Sequence, residues 1–239
     1  MESKILFGQI KDSSHNAMFC GLLLVLGLSS GCEPQPKLDT SLLTHDPCAP
    51  PCWHNIIPGV SDEDDVRSQL ENSPFVKKGT LDYSLTEEAG VPLVIFSWQA
   101  RGRHPNRICL RDGTVLRIEI DLDYDLTLGE IVDKYGPPES VYAFVGVADF
   151  YWHSISFDYP DTGLTLQSFS LINPEDVADG TILVSEDMKI TSAYYYAPTS
   201  LRNMLSEVFL LSPDRVEYHI ANSQEWQGFG RVKIAEQRE

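Results

Sequence analysis

Three helical patterns, each ending at a proline and followed by strand-like sequence, constrain the fold of this chain most. Pro74, Pro138 and Pro213 end these patterns, and the spacings between them are 64 and 75 residues. Proline cannot continue a helix, and the residue before it favours extended backbone. A valine opens an extended stretch shortly after each proline, at Val76, Val141 and Val216. The recurrence predicts an α+β fold of tandem helix-plus-antiparallel-sheet repeats, two full and one partial.

Capping signals mark where these helices begin. Ser61 is the expected N-cap of the first helix, because acidic residues suited to a helix N-terminus follow it. Thr127 and Glu130 form a capping box, and the third helix starts after Thr199 or Ser200. Each helix carries an apolar face with helical spacing: Val66 and Leu70; Leu128, Ile131, Val132 and Tyr135; Leu201, Met204, Leu205, Val208 and Phe209.

Strand-like segments follow each helix. They cover residues 93–99, 107–111, 114–121, 141–145, 150–159, 164–169, 182–184, 189–196, 216–220 and 231–234. Asp112 and Gly113 predict a hairpin turn. A three-residue loop there places Ile108 beside Leu116 on the apolar face. That register leaves Cys109 on the other face, accessible to a partner.

An apolar run near the start of the chain resembles an export signal. Residues 18–28 are too few to cross a hydrocarbon core, but they fit the central region of a secretory signal. Ser29, Ser30, Gly31 and Cys32 follow directly and resemble the lipobox of bacterial lipoproteins. That resemblance implies cleavage after residue 31, acylation of Cys32, and anchoring on the outer face of a bacterial membrane or in the envelope. The alternative is a buried apolar helix that ends at a chance Gly-Cys. Two translation starts, Met1 and Met18, fit this part of the sequence.

The next segment is a spacer with cysteines. Prolines stand at 34, 36, 47, 50 and 51, and no apolar period runs through residues 33–52. Cys48, Cys52 and Cys109 remain once Cys20 and Cys32 are assigned to the signal and the anchor. A Cys48–Cys52 disulfide is favoured in an exported protein. A bond from either cysteine to Cys109, free thiols, or a metal site completed by His45 or His54 are the alternatives.

The charge of the chain excludes one class of partner. Eighteen Lys and Arg against 35 Asp and Glu give a formal net charge of -17. Nucleic acid is bound mainly through Lys and Arg, so it is excluded as a partner. The local charge becomes positive in one segment around His104, which contains Arg101, Arg103, Arg107 and Arg111. These arginines are candidate partner-binding residues. The alternative is a solvated hairpin face paired with Glu119 and Asp121.

Other candidate chemistry is weaker. Asp121, Asp123 and Asp125 alternate like calcium ligands, but Leu126 and Val132 stand where an EF-hand loop needs glycine and glutamate. We expect no metal and no cofactor. His153, in an aromatic strand, is expected to be a packing residue. The sequence contains no Gly-x-Ser-x-Gly, no phosphate loop and no His-Glu-x-x-His.

Two resemblances go beyond single motifs. A short helix that ends at proline before an antiparallel sheet is similar to the SmpA/OmlA lipoproteins and to the repeats of the β-lactamase-inhibitory-protein fold. Residues 47–53 (PCAPPCW), followed by 57–60 (IPGV), resemble a group of uncharacterised bacterial lipoproteins, and this match covers most of residues 32–160. The better-known relatives of the fold act by binding other proteins, so the resemblance implies binding rather than catalysis.

The sequence therefore predicts a lipid-anchored envelope protein that acts as a non-catalytic binding or scaffold module. Its partners are a membrane, through the lipid, and another envelope or secreted protein. Sheet faces left uncovered by helices are expected to carry the contact. The alternatives are an inhibitor or accessory subunit of a secreted enzyme, and a hydrolase in which His153 or His104 lies beside a serine or carboxylate. The predicted boundaries are 1–31 for the signal peptide, 32–54 for the tether, and 55–123, 124–197 and 198–239 for the repeats.

Overall fold

The computed structural model describes residues 36–100, 104–147, 151–172 and 177–236. The predicted signal peptide, Cys32, Arg101 and Arg103 lie outside these residues. The helices are α1 (Ser41–Thr44), α2 (Glu63–Glu71), α3 (Leu128–Tyr135), α4 (Leu201–Asn203) and α5 (Pro213–Asn222), and a π-helical segment, Met204–Val208, continues α4. The strands are β1 (Asp82–Glu88), β2 (Val91–Trp98), β3 (Asn106–Arg111), β4 (Thr114–Asp121), β5 (Ser140–Val147), β6 (Tyr151–Tyr159), β7 (Leu164–Leu171), β8 (Val177–Ala178), β9 (Thr181–Val184), β10 (Ser192–Tyr196), β11 (Gln224–Glu225) and β12 (Gly230–Lys233).

Among the described residues, nine strands form one antiparallel sheet in the order β1-β2-β3-β4-β10-β7-β6-β5-β11. Strands β12, β9 and β8 form a smaller sheet. The large antiparallel sheet with few helices confirms the mixed fold class. The tandem repeats are not evident, because β10 pairs with both β4 and β7 and joins the two predicted units into a single sheet.

The hairpin of β3 and β4 forms at the predicted turn with a different register. Asp112 and Gly113 both have positive φ, at 53° and 79°, as a two-residue hairpin loop requires. Cys109 lies opposite Arg117, and the register shifts between Cys109 and Leu110. The two-residue loop and this β-bulge each shift the register by one residue, so Ile108 lies opposite Ile118 and not Leu116; the predicted three-residue loop and its register are wrong.

The first two predicted helices, α2 and α3, begin within one residue of their predicted starts. Asp62, not Ser61, caps α2, because its side chain accepts from the backbone N–H of Asp65 in a reciprocal capping box. The capping box of Thr127 and Glu130 at α3 is confirmed. Gly136, with a φ of 81°, ends α3.

The third helical pattern departs from the prediction. Ser200 caps α4 as expected. Pro213 begins α5 instead of opening a strand at 216–220. Proline suits the first turn of a helix, where the missing N–H has no helical partner. Val216 and Ile220 are four apart, so the same pair fits a helix face, and both pack in a cluster with Tyr196.

The two faces of the large sheet have different coverings. On the inner face, strand residues such as Ile118, Leu166 and Ile155 are fully buried in the main core. This core includes Val66 and Leu70 of α2, Leu128 and Ile131 of α3, Leu42, Trp53 and Ile56 of the N-terminal segment, and Ile182 and Val184 of β9. On the outer face, α4, the π-helical segment and α5 cover one end only.

The cysteine pairing favoured from the sequence is present. Cys48 and Cys52 form a disulfide, with their Cα atoms 5.8 Å apart. Cys109 is free and buried, so the predicted accessibility of this thiol is wrong. Arg117, opposite it, and the helical segment that Arg117 contacts close off this part of the outer face.

Candidate functional site

Among the described residues, no helix covers the outer face at the end away from the C-terminal helices. Strand alternation brings side chains of β5, β6 and β7 to this surface in consecutive rows. We call this surface the open end of the outer face; it consists of Phe144, Trp152, Ser154, Gln167, Phe169 and Leu171. Phe169 and Leu171 are 46% and 65% exposed and lie two residues apart on the same face of β7, so they form a contiguous apolar patch with the rings beside them.

Three aromatic rings form the apolar part of the open end. The ring centroids of Phe144 and Trp152 are 5.4 Å apart, and those of Trp152 and Phe169 are also 5.4 Å apart. Gly146 lies opposite Trp152 in the ladder, and a Cβ on Gly146 would come within 2.1 Å of the indole ring. The indole in this position therefore occupies the space that a side chain at residue 146 would need.

A hydrogen-bonded polar row lies beside the rings. The side-chain amide of Gln167 donates to Oγ of Ser154 at 2.6 Å, and the hydroxyl of Tyr194 donates to Oε1 of Gln167 at 3.1 Å. The ring of Phe209 contacts Tyr194 edge-on, with centroids 5.6 Å apart. Tyr194 thus marks the boundary between the covered and the open end, and the hydrogen bonds hold the polar row in place.

A groove of about 950 Å³ continues from the open end. Gln167, Phe169, Ser170 and Leu171 of β7 line it. The rest of its lining consists of His104, Asp121, Leu122, Asp123, Tyr124, Asp125, Lys189, Ile190, Thr191 and Ser192. The groove therefore joins an apolar wall to one that carries three carboxylates.

The three aspartates of the calcium prediction meet in this groove but are engaged separately. Asp121 accepts from the backbone N–H of His104 at 3.2 Å, and Asp125 pairs with Lys189. The hydrogen bond from Lys189 lowers the pKa of Asp125. In the described part of the chain, no three His, Cys, Asp or Glu side chains gather into a group that could hold a metal ion.

The described arginines of the basic segment line different depressions. Arg107 lies opposite Glu119 in the ladder and lines a depression with His104, Asp121 and Tyr194, next to the open end. Arg111 lines another depression and pairs with Glu207 of the π-helical segment at 3.4 Å. Arg107 is thus the described member of the segment that adjoins the candidate surface.

The covered end of the outer face contains a buried arginine. Arg117 donates to Glu119 at 2.7 Å, to Glu88 at 2.7 Å, and to the backbone carbonyl of Val208 at 2.9 Å. Although burial opposes charge, the two carboxylates keep the pKa of Arg117 above its usual value. The guanidinium thus joins β1, β4 and the π-helical segment.

A buried carboxyl lies nearby under the same helices. Asp158 accepts from Ser140 at 3.0 Å and from Thr165 at 2.9 Å, and Thr165 also hydrogen bonds with Tyr196. Burial raises the pKa of Asp158 to about 6. The hydroxyls of Ser140 and Thr165 donate to the carboxyl, and no cation pairs with it among the described contacts. Burying its ionised form therefore costs free energy.

The two histidines of the hydrolase alternative, His153 and His104, lie in different surroundings. Nε2 of His153 lies 3.2 Å from Oγ of Ser168, but these residues are 6% and 3% exposed. His104 meets Asp121 through its backbone. Burial raises the pKa of the Cys109 thiol to about 12, so the thiol stays protonated and unreactive.

Within the described residues, no helix reaches the length and apolar character that a membrane span requires. Comparisons with protein-family models, with curated proteins and with solved structures give no match to this chain. Support for the candidate site therefore comes from its geometry alone.

Sequence reasoning missed the most buried polar groups and the open-end rings. The alternation of Trp152 with Ser154 in an aromatic strand was the available signal for the rings. For Arg117 and Asp158 the strands gave no signal of burial, since Val208, which accepts from Arg117, and Ser140, which donates to Asp158, are distant in sequence. Arg107 and the three aspartates were identified as candidates, and the fold brings them to the margins of the open end.

Proposed function

We propose that this chain is a lipid-anchored protein of the bacterial envelope that acts as a non-catalytic binding or scaffold module. Its contact surface is the open end of the outer face together with the groove. The partner is another envelope or secreted protein. One observation carries the proposal: three clustered aromatic rings and Leu171 lie uncovered beside a fixed polar row.

The chemistry of the surface suits a protein partner. Aromatic side chains are enriched at the centres of protein interfaces, where they bury large areas with little loss of conformational freedom. The amide of Gln167 and the hydroxyls of Ser154 and Tyr194 provide the polar contacts that give such an interface its orientation. The aspartates of the groove favour a partner that presents basic side chains there.

The anchor belongs to the same proposal. Acylation at Cys32, followed by the proline-rich tether, holds the folded body near a membrane surface without a spanning helix. The Cys48–Cys52 disulfide supports an exported location, where disulfides persist. Under this proposal the chain belongs with the bacterial lipoproteins that its Pro-Cys and Ile-Pro-Gly-Val motifs resemble. Its two helix-plus-sheet units share one sheet, with α2 before β1–β4 and α3 before β5–β7.

Labelling tests the anchor. A palmitate analogue fed to cells should label the wild type and not Cys32→Ala. Equal labelling of the two proteins contradicts lipidation at this residue.

Affinity capture tests the contact surface. Tethered wild type, crosslinked in its native envelope, should capture a partner protein. Phe169→Lys should reduce that capture at least tenfold, because a buried aromatic contact at an interface is worth about 2 kcal/mol or more. Leu183→Lys is the matched control, since Leu183 is similarly exposed, at 53%, on the smaller sheet.

The captured species decide between the envelope module and its alternative. Several envelope proteins indicate a scaffold, and a single stoichiometric secreted enzyme indicates an accessory subunit or inhibitor. Unchanged capture by Phe169→Lys contradicts the proposed surface in either case.

A further inference from the structure

The free edge of the large sheet, at β1, has the features of a site for strand addition. The seven residues of β1 pair with β2 along their whole length. Residues 82 to 87 are all exposed. The opposite edge strand, β11, has two residues. A long, regular, exposed edge offers unpaired backbone groups to another strand, and short edge strands are a common protection against this.

The hairpin register shows which backbone groups are offered. Ala89 and Gly90, with φ of 51° and 81°, form a two-residue loop between Glu88 and Val91. The pair that flanks such a loop is a hydrogen-bonded pair, and hydrogen-bonded pairs alternate along the ladder. The N–H and C=O groups of Tyr83, Leu85 and Glu87 therefore point away from the sheet.

The side chains of the edge extend the inner face. Tyr83 and Leu85 lie opposite Phe96 and Val94, both of which contact the main core. Leu85 is 74% exposed, and the guanidinium of Arg67 lies 5.6 Å from the ring centroid of Tyr83. An added strand with apolar residues at alternate positions would cover Leu85 and continue the core outward.

The charges of β1 disfavour a second copy of this chain. In an antiparallel self-pair centred on Leu85, Asp82 of each copy lies opposite Glu88 of the other. Like charges placed directly opposite destabilise a sheet. Asp82 and Glu87 are exposed and have no ion pair among the described contacts, so they favour an incoming segment with basic ends.

We propose that β1 accepts an extended segment of another protein as an additional strand. The segment has apolar residues at alternate positions and lysine or arginine near its ends. This site is separate from the open end of the outer face, and the inference does not depend on the proposed function.

A labelled synthetic peptide tests the proposal on the full chain. The probe is Lys-Thr-Val-Thr-Val-Thr-Lys, and its binding is measured by fluorescence anisotropy at low and at high salt. The wild type should bind it, more weakly at high salt. A peptide N-methylated at alternate amides should lose binding at least tenfold, because it cannot complete the ladder.

Proline variants of the edge provide the matched comparison. Leu85→Pro removes an outward N–H and is tolerated on an edge strand, so it should weaken peptide binding at least tenfold. Leu85→Val keeps the N–H and should bind within about threefold of wild type. If Leu85→Pro has a much lower melting temperature than wild type, Glu87→Pro takes its place, because it also removes an outward N–H. Phe169→Lys should bind the peptide like wild type.

Three results overturn the proposal: no binding by the wild type, equal binding by the proline variants, or equal binding of the methylated peptide. A concentration-dependent dimer that Leu85→Pro abolishes would assign the edge to a second copy and contradict a heterologous partner.

Discussion

The two ends of the outer sheet face differ in which side chains lie beneath helices and which lie exposed. The covered end places the charged Arg117 and the carboxyl of Asp158 beneath helices. The open end leaves Trp152, Phe169 and Leu171 without a helix over them. The helices of the covered end also bury an apolar cluster around Tyr196, Met204 and Val208. Burial favours apolar over charged groups, so burying Arg117 and Asp158 while Phe169 and Leu171 stay exposed is not what stability alone would select. Under the proposed function, the covered end serves folding and the open end serves contact.

Removing the buried guanidinium should have the largest effect on stability. Arg117→Ala leaves Glu119, Glu88 and the carbonyl of Val208 without their donor. We expect a loss of about 3 kcal/mol in the free energy of unfolding, measured by urea denaturation. Lys233→Ala is the control, because its exposed pair with Glu236 contributes only a few tenths of a kcal/mol. Equal losses in the two variants would refute the structural role of the covered end.

The buried carboxyl of Asp158 should make the stability of the protein depend on pH. The folded pKa of Asp158, about 6, exceeds the unfolded value, so the wild type loses stability as pH rises from about 4 to 6. Asp158→Asn keeps the shape, and the hydroxyl of Ser140 is able to accept where it now donates. The variant should be more stable than wild type by about 1 to 3 kcal/mol at pH 8. This gain should vanish near pH 4, and thermal melts across this range check it.

At the open end, a small substitution should affect binding and leave folding nearly unchanged. Gly146→Ala forces the indole of Trp152 to move, and Trp152 is half-exposed, so it has room to do so. We expect a melting temperature within a few degrees of wild type and reduced capture of the partner. A large drop in melting temperature would show that the aromatic cluster supports the fold rather than the contact.

The smallest effect concerns the thiol at the covered end. Cys109 should resist iodoacetamide at pH 8 in the native protein and react only after denaturation, because burial raises its pKa and blocks access. Mass spectrometry of the Cys109 peptide measures this. Rapid native labelling would mean that the C-terminal helices open readily.

Local signals in the sequence predicted many of the elements, though not β1, β8, β11 or α5, and long-range pairing decided their arrangement. Thr127 with Glu130 and Asp112 with Gly113 act within a few residues, so the α3 start and the hairpin were predictable. Pro213 was ambiguous, since a proline that ends one helix also suits the start of the next. The insertion of β10 between β4 and β7 left no local signal.

The same distinction applies to the candidate site. Arg107 and the three aspartates stand out by charge alone. The open end depends on which part of the outer face the C-terminal helices cover, and this is decided by contacts such as Arg117 with Val208 that join residues far apart in the sequence. No pattern within a single strand encodes that coverage.

Site-specific photo-crosslinking in cells tests the role of the open end most directly. A photoreactive amino acid replaces Phe169 in one strain and Leu183 in another, in the tethered full-length protein. The account predicts a discrete crosslinked protein from position 169 and little from position 183. Equal crosslinking at both positions, or none at 169, would contradict the conclusion that the open end of the outer face is the contact surface.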